Sequence, residues 1–258
     1  GADGSSTVLS VGMSKEYDNG IKLNAAYAYV DAKDVNPMTS SVAYSNYVNI
    51  AVSDQLNPGV ATSDYEIKHR FTMNLSYKVE LMDGYNTRFS LFGMASEGKP
   101  YSYTYTNSAS MFEDANDYRS LIYVPEENDP LVVYGADFDQ AAFNQLIADE
   151  GLARGEILKR NSQSADWWVK FDARIEQELP GFMEGHKASA FLVIENLGNL
   201  LNDDWGVMKQ GSFVGDDIIS ATINANGQYV YNSYNASPQS NVTAPSLWEV
   251  RVGVKYRF

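Results

Sequence analysis

The chain has no cysteine and only two histidines, His69 and His186, among its 258 residues. Without thiols it makes no disulfide and no thiolate metal site, and it is compatible with an oxidising exterior compartment. No apolar stretch approaches the 18 or so residues of a membrane helix, so any membrane residence must come from strands. Basic residues are scarce: 19 Lys and Arg against 33 Asp and Glu leave a net charge of -14. That balance excludes a nucleic-acid partner, which requires a basic stripe. No GxSxG, HExxH or glycine-rich phosphate loop occurs, and the expectation is a protein that is not an enzyme and carries no cofactor. The N-terminal GADGSSTV lacks the charged and apolar regions of a signal peptide, which predicts a processed chain or a piece of a longer one.

What the sequence does have is alternation. In Ser246 to Phe258, residues Trp248, Val250, Val252, Val254, Tyr256 and Phe258 share one face, while Glu249, Arg251, Lys255 and Arg257 share the other. The apolar face carries aromatics at both ends and valines between. Trp248 to Tyr256 spans roughly 27 Å at about 3.3 to 3.4 Å per residue, which suits a tilted, lipid-facing barrel strand with an aromatic girdle at each interface. Six further segments alternate in the same way, at about residues 9–13, 21–29, 66–81, 85–96, 167–179 and 188–194. Sixteen alternating residues, from Glu66 to Leu81, exceed the five or six usual in a soluble strand.

The connections alternate too. Short turns, EYDNG, Met82–Gly84 and LPGFMEGH, separate three long stretches: Asp31–Asp64, Lys99–Asp166 and Gly198–Pro245. Outer-membrane barrels have this asymmetry, with short periplasmic turns and long external loops, whereas long structureless loops are uncommon in compact soluble domains. The reading is therefore all-β: seven antiparallel transmembrane strands with a periplasmic C-terminus and an external N-terminus. An odd strand count with ends on opposite sides does not fit an autonomous barrel, which predicts part of a larger one. The second loop holds twelve acidic and five basic residues and is expected to be solvated. Within it, Phe138, Ala142, Leu146 and Ile147 behind Asp137 predict a short helix from about Phe138 to Asp149. GQYVYNSY in the third loop predicts one arm of a hairpin.

Several of these segments, HRFTMNLSY (His69–Tyr77), SEGKPYSY (Ser96–Tyr103), VIENLGNLLNDDWG (Val193–Gly206) and LWEVRVGVKYRF (Leu247–Phe258), resemble the last strands of TonB-dependent outer-membrane receptors. YGADFDQAAFNQLIADEGLARG, NSQSADWW and LPGFMEGH are similar, more narrowly, to the Oar-like subgroup. The resemblance covers nearly the whole chain. It implies the C-terminal part, residues 1–258, of a 22-stranded receptor barrel in the bacterial outer membrane, without the plug domain. The implied role is barrel wall and external loops for ligand binding or uptake. The implied partners are outer-membrane lipid, the missing plug and barrel strands, TonB through the missing part, and the barrel assembly machinery reading Phe258. A small independent outer-membrane barrel with a structural or adhesion role is the alternative.

Candidate ligand-contacting residues in the loops and lumen are Tyr101, Tyr103, Tyr105, Arg119, Trp167 and Trp168, against a plainer reading as membrane anchors or loop packing. Trp248, Tyr256 and Phe258 are the girdle and assembly candidates. Inward charges such as Lys68, Arg70, Asp172, Arg174, Glu249 and Arg251 are expected to satisfy one another. The carboxylates of Glu113, Asp114 and Asp117, of Glu126, Glu127 and Asp129, and of Asp203 and Asp204 beside Asn202 leave calcium open, though solvated acidic loops are the expectation and no metal site is assigned. His69 and His186 are expected as interfacial polar residues.

Overall fold

The computed structural model describes residues 4–114, 116–117, 119–236 and 239–258. In chain order its principal elements are β1 (Ser5–Glu16), β2 (Ile21–Asp34), β3 (His69–Met82), β4 (Tyr85–Ser96), β5 (Tyr103–Tyr105), β6 (Val132–Tyr134) and helix α1 (Gln140–Asp149). Then follow β7 (Trp168–Pro180), β8 (Lys187–Glu195), β9 (Asp216–Ile223), β10 (Tyr229–Tyr234) and β11 (Glu249–Arg257). The long strands make one antiparallel sheet in the order β1-β2-β3-β4-β7-β8-β11, with Ala61–Thr62 added beside the end of β2. All seven alternating segments of the sequence are these strands, and their neighbours in the sheet are their neighbours in the chain. Among the described residues β1 and β11 have no second partner, so the sheet is open.

Register turns the alternation of single strands into two continuous faces. Leu23, Leu75, Leu91, Ala173, Ile194 and Val250 lie side by side across six strands, and Ile21, Tyr77, Phe89, Ile175, Leu192 and Val252 make a parallel row. Among the described residues nothing covers this face: Val11 is 67% exposed, Ile175 42% and Val252 79%. Large apolar side chains left open over a whole sheet face exceed the patches that monomeric soluble proteins tolerate. On the opposite face the same registers align Ser14, Asn24, Asn74, Phe92 and Asp172.

Two glycines allow close approaches within this sheet. Gly20 has φ +87°, as the tight β1–β2 turn requires, and a Cβ there would lie 2.2 Å from the Lys78 carbonyl oxygen of β3. Gly253 faces Phe191 across the β8–β11 ladder, and the ring lies over it so closely that a Cβ would meet the ring at 2.4 Å. An aromatic laid over a cross-strand glycine pins the register of that strand pair.

The three long loops are not the solvated excursions expected of the second one. They hold a second sheet, β5-β9-β10-β6, with β5–β9 and β6–β10 parallel and β9–β10 antiparallel. GQYVYNSY does supply one arm of the β9–β10 hairpin, whose turn is closed by Asn224 Oδ1 accepting from the Asn226 and Gln228 amides at 2.9 and 3.0 Å. The main buried core of the molecule is here: Tyr103, Tyr105, Ile122, Val124, Phe143, Ile218, Ile219 and Tyr231. The charges of the second loop lie around an apolar centre to which sequence-distant segments each give two or three residues.

Three boundaries also differ from expectation. The third strand begins at His69 rather than Glu66, because the Glu66 carboxylate turns in to accept the Ala32 amide at 2.6 Å. The helix starts at Gln140 with Asp139, not Asp137, as its cap, accepting from the Ala142 amide at 2.9 Å, while Phe138 packs on Phe143. Tyr101–Tyr105 is not one strand prolonged from the wall. Pro100–Tyr101 pairs with Gln163–Ser164, and Tyr103–Tyr105 turns into the loop sheet beside β9.

Candidate functional site

The apolar face of the seven-strand sheet carries an aromatic group at each end. At the long-loop end Tyr27 packs on Phe71 at 4.6 Å, and its hydroxyl meets His69 Nδ1 at 2.8 Å. Trp167 stacks on the same imidazole at 6.2 Å. At the short-turn end Phe182 stacks on Tyr256 at 5.4 Å, and the Tyr256 hydroxyl meets His186 Nδ1 at 2.7 Å. Both histidines are thus ring partners of tyrosines at the two edges of the apolar band. Trp248 precedes β11 at the long-loop end and Tyr256 lies near its other end, while Phe258 is fully exposed beyond the strand. Aromatic rings with a polar handle suit the boundary between an apolar layer and water.

On the opposite face several of the charges pair with one another. Lys170 meets Asp172 at 3.3 Å, Arg174 meets Glu176 at 2.8 Å, and Arg251 takes both Glu249, at 2.7 Å, and Glu195. Arg174 also lies over the Phe191 ring at 4.4 Å. Arg70 instead donates to the Met94 sulfur at 3.1 Å.

The candidate ligand residues fall into three environments. Tyr101, Tyr103 and Tyr105 are buried in the loop cap and present no exposed aromatic surface. The Tyr101 and Tyr103 hydroxyls meet at 3.2 Å with their rings edge to face, and the Tyr105 hydroxyl meets that of Tyr231 at 3.2 Å. Burial holds the Tyr103, Tyr105 and Tyr231 phenols well above their ordinary pKa, so they remain neutral donors. Arg119 is wholly buried as well. Its guanidinium grips Asp114, with Nε at 2.8 Å, donates to the Tyr47 carbonyl at 2.6 Å, and lies over the Tyr47 ring at 5.2 Å. It therefore clamps the second long loop to the first. Trp167 belongs to the aromatic group on the apolar face, whereas Trp168 faces the other way and donates from Nε1 to the Gly206 carbonyl at 2.9 Å.

The residue that organises the third loop escapes sequence reasoning. Asn196 is fully buried with φ +51°, a left-handed conformation that asparagine tolerates better than other side-chain-bearing residues. Its amide nitrogen donates to Gly206 at 3.0 Å and to the Ser246 carbonyl at 2.7 Å, while its backbone N–H donates to Asp172 at 2.7 Å. One side chain thus ties both ends of the third loop to the wall. Replacing Asn196 with alanine strands two carbonyls at about 1 to 3 kcal/mol each, softened where water enters. The expected result is faster proteolytic cleavage within Gly198–Pro245 while the wall strands stay protected, read by limited proteolysis with mass spectrometry.

The three loops join into one cap through bonds of this kind. Arg160 meets Asp34 at 2.7 Å, linking second loop to first, and Asn107 brackets Ala221, linking second to third. Among the described residues no three carboxylate or imidazole groups lie where they could hold a metal ion. Of the candidate calcium carboxylates, Asp114 is engaged by Arg119 and Gln55, and Asp129 accepts from the Tyr123 hydroxyl at 2.7 Å and from two backbone amides. That bond to Asp129 pushes the Tyr123 phenol up to about 12. The arrangement is a two-faced wall carrying a folded cap at its long-loop end. Neither a scan against protein-family models nor searches of curated proteins and of solved structures find a match to this chain.

Proposed function

We propose that this chain is a section of wall from a larger outer-membrane β-barrel, of the TonB-dependent, Oar-like receptor kind that its motifs resemble. Its polar face lines a lumen and its cap stands outside the cell, serving ligand binding or uptake without chemistry of its own. The observation that carries the reading is the uncovered apolar face, continuous in register over seven antiparallel strands and bounded by aromatic groups at both ends. In lipid such a face is solvated and every backbone group between neighbouring strands is paired, which is the condition for crossing a membrane with strands. The two unpaired edges then require further strands, since an unpaired ladder in lipid costs several kcal/mol per group. Those strands, the plug and TonB are the partners this reading supplies.

Edge separation tests the larger barrel against a small closed one. β1 and β11 are six ladder steps apart, about 29 Å along the sheet at roughly 4.8 Å per step. Cysteines at Val11 and Val252, both outward and exposed, should resist a short bifunctional crosslinker in the intact protein purified from membranes. Efficient intramolecular crosslinking would bring the edges together and support a small independent barrel instead.

A further inference from the structure

A second site lies on the polar face at the short-turn end of the wall, far from the cap. There a concavity of about 330 Å³ is lined by Lys78, Arg88, Lys187, Lys255 and Arg257, with His186 at its margin, against only Glu176 and Glu178. A net of three positive charges gathered on one patch is unexpected in a chain of net charge -14.

The pairing within the sheet sharpens the anomaly. Lys78 stands directly across from Arg88 on β3 and β4, and Lys187 directly across from Arg257 on β8 and β11. Like charges in directly opposed positions destabilise a sheet, and here two such pairs open onto one hollow. The nearby carboxylates offset this charge only in part: Glu176 stands across from Arg88 on β7, and Glu178 draws on Lys78 and Lys187, while most of their hydrogen bonds go to other groups. Glu176 is held by Arg174, Ser189 and Lys255, Glu178 accepts from the Asn86 backbone and side chain at 3.0 Å each, and Glu80 caps the Gly84 amide at 2.7 Å. Among the described residues none of Lys78, Arg88, Lys187 and Arg257 has a carboxylate within 4.0 Å.

We infer that this hollow binds a multivalent phosphate-bearing anion, held by the Lys78–Arg88 and Lys187–Arg257 pairs. The volume is that of a small-molecule site. Two guanidiniums offer planar forks suited to phosphate oxygens, and the lysines add point charges that tolerate several orientations. A bound dianion or trianion also removes the repulsion within each pair, so binding and local sheet stability are linked.

Inorganic pyrophosphate is the probe, titrated calorimetrically into the full protein in zwitterionic detergent, with the Lys78→Gln/Arg88→Gln double variant beside it. The variant removes one repulsive pair together with the attractions of Arg88 to Glu176 and of Lys78 to Glu178, so without ligand it should melt close to the parent, which separates lost binding from lost folding. Losing two charge-assisted contacts should weaken pyrophosphate binding about tenfold or more, one decade being 1.4 kcal/mol. Pyrophosphate should raise the melting temperature of the parent and not of the variant. The hollow lies on the face turned away from lipid in the wall reading, so the anion expected there is a soluble phosphate compound. Absence of pyrophosphate binding, equal binding by the double variant, or a response to hexaglutamate and not to pyrophosphate would each overturn the inference, the last in favour of an acidic polypeptide.

Discussion

Arg119→Met should destabilise the loop cap by about 3 to 5 kcal/mol, the usual cost of leaving one member of a buried ion pair alone. The Asp114 carboxylate, 7% exposed, would keep Gln55 and Ser120 but lose its cation, and the Tyr47 carbonyl would lose its donor. The damage should stay in the cap, because the partners of Arg119 among the described residues, Asp114, Tyr47 and Val52, lie in the second and first loops. Amide hydrogen exchange localises it: protection should fall in Ala43–Val48 and in Tyr103–Tyr105 and hold in β3, β4 and β7. Arg119→Met combined with Asp114→Leu removes both charges, and should recover much of the loss if the pair rather than the side-chain volume is responsible. A single variant as stable as the parent would show that the clamp contributes little.

Leu75→Arg should cost about 2 to 4 kcal/mol when the protein is unfolded from lipid, as expected for a cation near mid-bilayer on the outward face of a strand. Its neighbour Asn74→Arg points to the other face, where Asn24 and Phe92 are its cross-strand partners, and should cost far less. Leu75 lies between Leu23 and Leu91 in the apolar row, so the two substitutions differ by one residue in sequence and by the whole thickness of the sheet in environment. Urea titrations of both variants in phospholipid vesicles measure the difference. The equivalent contrast at Val252 and Gly253 would mislead, because the Phe191 ring over Gly253 makes any side chain there costly on packing grounds alone. Equal effects of the two arginines at Leu75 and Asn74 would mean that neither face is lipid.

The wall was legible in the sequence because each strand writes its two environments into a period of two, and because short turns join strands that are also neighbours in the sheet. From Phe71 to Leu81 the apolar residue comes at every second position without a break. Of the cap, only the helix and the GQYVYNSY arm of the hairpin are legible in the sequence. Its core otherwise draws on β5, β6 and β9, segments that show no clear period, and two of its pairings are parallel and link residues roughly a hundred positions apart. Its buried residues include Arg119, Asn196 and several tyrosines, types that composition assigns to surfaces or ligand sites. Arg119 stands among the candidate ligand residues, yet its partner carbonyl at Tyr47 is 72 residues away, and no local pattern carries that distance. Asn196 lies within a motif similar to receptor barrels, but its work as a clamp depends on Ser246 arriving from the far end of the loop beside Gly206 at the near end.

Lipid contact on one face of the wall is the claim on which the rest depends, and a nitroxide scan along β3 measures it residue by residue. Labels placed singly from Arg70 to Leu81 in the protein reconstituted into phospholipid vesicles report their access to oxygen, which partitions into lipid, and to a water-soluble nickel chelate. Oxygen access should peak at Phe71, Met73, Leu75, Tyr77 and Val79 and fall at Thr72, Asn74, Ser76 and Lys78, with nickel access low throughout the outward set. A scan with no period of two, or one in which the nickel chelate reaches Met73 and Leu75 as readily as Asn74, would contradict a membrane-embedded wall.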